Sequence, residues 1–168
     1  MRKLSALFLL PAAFLGDGII MPAAFHLWNG SLTVILILAW LTHAGTSKKG
    51  LWGLAVLFIL EIMWGINAGM LVLPFALTAF LFFIASKFLI IGYAGFMKTG
   101  LIIKLFSLSL INLGLFYAFN FFSLWTEKLF YAPAGDGFLL LPFFSWTGAA
   151  YVFILTVCYL LIFDFSDV

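Results

Sequence analysis

Few residues in this sequence could do chemistry, and the foremost is Glu61, the only charge in the thirty-six residues 51–86. A carboxylate surrounded by so much apolar sequence is costly unless it faces the interior of a bundle, finds a partner or takes up a proton. It can serve as a polar contact that fixes helix packing, receives a partner protein or binds a ligand. Equally, it can be a protonated acid hydrogen-bonded to a neighbouring helix. Asp17 lies between Gly16 and Gly18, where local backbone amides or water could satisfy it. Lys104 stands one turn into an apolar run and can reach the membrane surface along its own stem.

Metal and nucleophile chemistry find no footing. His26 and His43 flank opposite ends of one apolar segment, so they cannot share a metal ion within the chain, and no His/Cys/Asp/Glu cluster has ligand spacing. There is no glycine-rich phosphate loop after a strand and no G-x-S-x-G elbow. Cys158 is the single cysteine, sits in an apolar run and can form no intrachain disulfide. The residues therefore point to no enzyme and to no cofactor. Asn67, Asn112 and Asn120 can hydrogen-bond between helices. The candidate packing or partner-contact positions are Asp17, Glu61, Gly65, Asn67 and Gly69.

These residues must be positioned by helices in a bilayer. Sixty-six per cent of the 168 residues are hydrophobic and 8% are charged, whereas about a quarter are charged in a soluble domain. The composition predicts a polytopic integral membrane protein of the all-α class, a single domain of six spans with no soluble domain beside it. A net charge of +2 from eight basic and six acidic residues is too small and scattered for a nucleic-acid footprint. Residues 51–86 as one helix would rise about 54 Å against roughly 30 Å of hydrocarbon, so they fold back as a hairpin. Gly65-Ile66-Asn67-Ala68-Gly69 supplies the reversal. Gly65 and Gly69 also match a small-residue dimer pattern, read here as turn geometry.

The spans are expected at about 4–21, 32–43, 51–66, 69–86, 101–122 and 143–163, the first of them an uncleaved helix. The second is short and must recruit flanking residues or thin the membrane. Residues 88–97, with Gly92 and Gly95 inside and lysines at the ends, read as an interfacial connector, and residues 123–137 as an aromatic outer loop. With the N-terminus in the cytoplasm, Arg2, Lys3, Lys48, Lys49, Lys87, Lys98 and Lys104 fall on the cytoplasmic side and Lys128 alone outside. Six spans with both termini inside agree with that pattern. No internal repeat is visible in the sequence.

Several elements together resemble the rod shape-determining MreD family: Met1-Arg2-Lys3, Gly16-Asp17-Gly18 through Pro22, Lys48-Lys49-Gly50, and Leu60-Glu61 through the turn to Gly69. The resemblance covers roughly residues 1–87. Glu61 stands where that family more often has aspartate, and Asn67-Ala68 where it often has proline and leucine. The resemblance implies a non-enzymatic scaffold of the peptidoglycan-elongation machinery in the bacterial inner membrane. It also implies contact with an MreC-like partner, and a fold similar to the substrate-binding membrane subunits of energy-coupling-factor transporters. That last similarity implies the alternative function, uptake of a small vitamin-type molecule.

Overall fold

A computed structural model of the protein describes residues 3–20, 31–44, 52–64, 67–96, 100–130 and 146–167. Among these residues the chain forms six α-helices and no strand: α1 (Lys3–Leu15), α2 (Ser31–Ala44), α3 (Trp52–Trp64), α4 (Val72–Phe96), α5 (Leu101–Phe130) and α6 (Trp146–Asp167). A π-helical turn, Gly16–Ile20, continues α1 directly. Pro11 lies inside α1, where it forfeits one backbone bond.

Two stretches are more helical than their composition suggests. Residues 88–96 do not form a separate connector; they continue α4 to Phe96 despite Gly92 and Gly95. Residues 123–130, expected in an outer loop, continue α5 to Phe130, so Trp125, Glu127 and Lys128 are helical. In both cases a helix already nucleated adds residues at one hydrogen bond each, which outweighs the modest cost of individual glycines. Of the described helices, α5 alone is long and apolar enough to cross a bilayer by itself. Shorter apolar helices of 10–17 residues accompany it.

The core is built on α2. Val34 through Ala39 and Leu41 are all buried, so this helix is apolar on every side and enclosed on every side. It packs against α1, α3, α5 and α6, and α5 packs in turn against α4 and α6. Phe75, Phe116, Phe119, Leu57, Leu71 and Leu160 complete the enclosed centre. Gly53 lets α3 approach: a Cβ there would lie 2.6 Å from Ile37 Cγ2 and 2.7 Å from Phe75 Cζ, wedged between α2 and α4. Outward, large apolar side chains are open, among them Phe58, Ile62 and Met63 on α3, Phe80 and Ile84 on α4, and Ile102, Phe106 and Phe121 on α5.

Two contacts join α5 and α6. Asn112 meets Thr156, and Phe106 meets Phe153 with ring centroids 5.5 Å apart. Both contacts join the first half of α5 to the first half of α6.

Candidate functional site

The two acids expected to matter are both buried, and each clamps the beginning of the helix that follows its own. The first four N–H groups of a helix lack intrahelical acceptors and must be satisfied from outside. At α2 the π turn presents Asp17. Its Oδ1 accepts from the Leu32 amide at 3.0 Å, and its Oδ2 accepts from the Thr33 amide at 2.8 Å and the Thr33 hydroxyl at 2.7 Å. Gly16 permits this approach, since a Cβ there would sit 2.8 Å from Leu32 Cδ1. The Tyr159 hydroxyl of α6 adds a long contact, 3.4 Å, to the Leu32 carbonyl. Asp17 is therefore tied to residues fifteen and sixteen positions away.

At α4 the donors can be accounted for one by one. Glu61 Oε2 accepts from Gly69 at 2.9 Å, and its Oε1 accepts from Leu71 at 2.6 Å and Val72 at 2.8 Å. The Met70 amide donates to the Asn67 carbonyl, Leu73 to Gly69, and Phe75 to Leu71. Pro74 has no N–H to satisfy, which is why the first turn of a helix tolerates proline. Gly69 takes a φ of 93°, a left-handed conformation that glycine adopts without the steric penalty of a side chain. Its placement thus serves both the chain reversal and the Glu61 contact. Asn67 contributes its backbone carbonyl while its side chain is exposed. Gly65 lies outside the described residues.

Both carboxylates use their two oxygens as acceptors of N–H or O–H groups, and both sit where the helix dipole favours negative charge. Chemically this is a fastening. Asp17 and Glu61 serve separate helix starts, and each is engaged by its own hairpin. Among the described residues no group of three or more His, Cys, Asp or Glu side chains could hold a metal ion.

A second polar feature lies along α5. Ser109, Asn112, Asn120 and Ser123 are all buried, and at 100° per residue they share an arc of about 80°. Asn112 Nδ2 donates to Thr156 Oγ1 at 2.6 Å, the expected interhelical bond, whereas Asn120 Nδ2 returns to the Phe116 carbonyl of its own helix at 3.0 Å. Among the described residues, the Ser109 and Ser123 hydroxyls and the Asn112 and Asn120 side-chain oxygens have no hydrogen-bond partner. Buried threonines behave differently: Thr78, Thr126 and Thr156 each donate to the carbonyl four residues earlier. Each unmet group costs about 1–3 kcal/mol. Sequence reasoning singled out the two asparagines and missed the serines, although Ser-x-x-Asn and Asn-x-x-Ser spacing on one helix was the available signal.

No family model, curated protein or solved structure matches this chain. Geometry and composition therefore carry the functional reading.

Proposed function

We propose that this chain is a multi-pass protein of a bacterial cytoplasmic membrane, a non-enzymatic scaffold of the cell-shape and peptidoglycan-elongation machinery, as its resemblance to the MreD family implies. The observation that carries this reading is the use of Asp17 and Glu61. Both buried acids accept hydrogen bonds at the starts of the helices that follow them, so they hold hairpins in a fixed geometry. Around that frame lie broad apolar faces on α3, α4 and α5. Contiguous exposed apolar surface of this kind marks membrane or protein contact. In this reading lipid acyl chains cover part of it and an MreC-like bitopic partner covers another part.

The lysine distribution supports an N-terminus in the cytoplasm. In the same reading six alternating spans place the C-terminus there as well. The test of function is depletion in the native rod-shaped cell, with cross-linking to the bitopic partner. Rounding of the cells and recovery of the cross-linked pair are expected; unchanged rod growth would overturn the scaffold reading.

A second reading, a membrane subunit for uptake of a small vitamin-type molecule, is favoured by the unmet polar groups on α5. Polar groups inside a membrane bundle commonly line solute pathways. Uptake of labelled solute that persists in cells retaining normal shape control would select it over the scaffold.

A further inference from the structure

The unmet oxygens on α5 have a definite chemical demand. Thr156 Oγ1 donates its one proton to the Val152 carbonyl, so it can only accept from Asn112, which turns the Asn112 amide nitrogen toward Thr156 and leaves Oδ1 free. The Phe116 carbonyl likewise can only accept, so the Asn120 nitrogen faces it and Oδ1 is again the free atom. Two carboxamide oxygens, eight residues and about 12 Å apart along one helix, are left as acceptors. Each has a serine hydroxyl one turn away, Ser109 beside Asn112 and Ser123 beside Asn120. The buried residues between them, Leu115, Phe116 and Phe119, offer no donor side chain.

We propose that these two pairs are binding positions for small neutral guests that donate hydrogen bonds, either water or a solute carrying O–H or N–H groups. One carboxamide oxygen and one hydroxyl fall well short of the six or more oxygens a hard cation such as calcium takes, so the pairs are suited to a neutral donor. A guest at the Asn120 pair donates to Oδ1 and accepts from or donates to the Ser123 hydroxyl. At the Ser109 pair, the Asn112–Thr156 bond keeps the amide correctly turned while the guest is held. These positions are independent of the Asp17 and Glu61 clamps.

The test uses the full chain reconstituted in lipid. A crystal structure from a lipid mesophase, at a resolution that places waters, is expected to show density within hydrogen-bonding distance of Asn120 Oδ1 or Ser123 Oγ. The double variant N120L/S123A, which removes the polar atoms, is expected to unfold at a lower temperature than the parent because it loses the guest. Native mass spectrometry separates the sources. An adduct heavier than water that is lost in the double variant identifies a solute, and density without an adduct identifies water. Vacant oxygens in a well-ordered α5, or a double variant more stable than the parent, overturn the proposal. If the variant fails to fold, the density of the parent protein decides alone.

Discussion

Replacing Glu61 by alanine removes the acceptor for three amides at once. The Leu71 N–H is wholly enclosed, so it loses its partner with no access to water, a cost of about 1–3 kcal/mol. Gly69 and Val72 are partly open, and their amides can recover some hydration, so about 0.5–1 kcal/mol each is a fair allowance. The total, about 2–5 kcal/mol, is a large share of the stability typical of a small protein. Glu61→Gln preserves one acceptor oxygen. Turned with that oxygen toward Leu71 and Val72, it keeps two bonds and sets its carboxamide NH2, a donor, against the Gly69 N–H, so about 1–2 kcal/mol is expected.

Reversible unfolding in mixed detergent micelles should therefore rank the variants parent, Glu61→Gln, Glu61→Ala in falling stability. Amide exchange should locate the damage. The Leu71 and Val72 amides should exchange much faster in the alanine variant, while amides in the middle of α5 should change only through the global loss of stability. A Glu61→Ala protein within about 0.5 kcal/mol of the parent, with Leu71 still protected, would refute the clamp.

Three further outcomes are expected. Asp17→Ala and Thr33→Val should each destabilise the first hairpin, the threonine change by about 0.5–1.5 kcal/mol, and a double-mutant cycle should show coupling between them; strictly additive effects would break the assignment. Gly53→Ala should cost about 1–3 kcal/mol through contact with Ile37 and Phe75, and Phe75→Leu should relieve part of it in the double variant, as thermal unfolding would report. With Cys158 changed to serine, cysteines introduced at Gly100 and Trp146, the starts of α5 and α6, should be labelled by a membrane-impermeant maleimide from opposite faces; labelling from the same face would contradict the six alternating spans.

Much of the hairpin around Glu61 was legible because its signals are local. An isolated charge, two glycines and an asparagine lie within nine residues, and length alone forbids a single straight helix. The role of Asp17 was not legible in the same way. Its acceptors meet donors fifteen and sixteen residues on, and no spacing rule relates a π turn to the next helix start. Glycine and charge content misplaced the end of α4 and the end of α5, since both cues are weak against helix propagation. Asn112 was expected to bridge helices and does so, whereas the choice Asn120 makes of its own helix depends on what faces it.

The two clamps also answer a difficulty that the short helices pose. The fourteen residues of α2 rise about 21 Å, less than the roughly 30 Å of hydrocarbon. If the chain lies in a bilayer, such a helix need not begin at the surface, and its first amides then sit where water cannot satisfy them. Serine or threonine caps would meet one donor apiece. A carboxylate carried on the preceding helix meets two or three donors and adds a favourable interaction with the helix dipole. It also joins two elements that are distant in sequence. The same device appears in α1–α2 and α3–α4 with unrelated loop lengths and different acids, so the repeat lies in the backbone problem being solved. Each hairpin thereby becomes a unit whose arms are held together at one end. That property suits a chain whose outer faces are left for lipid and for partners.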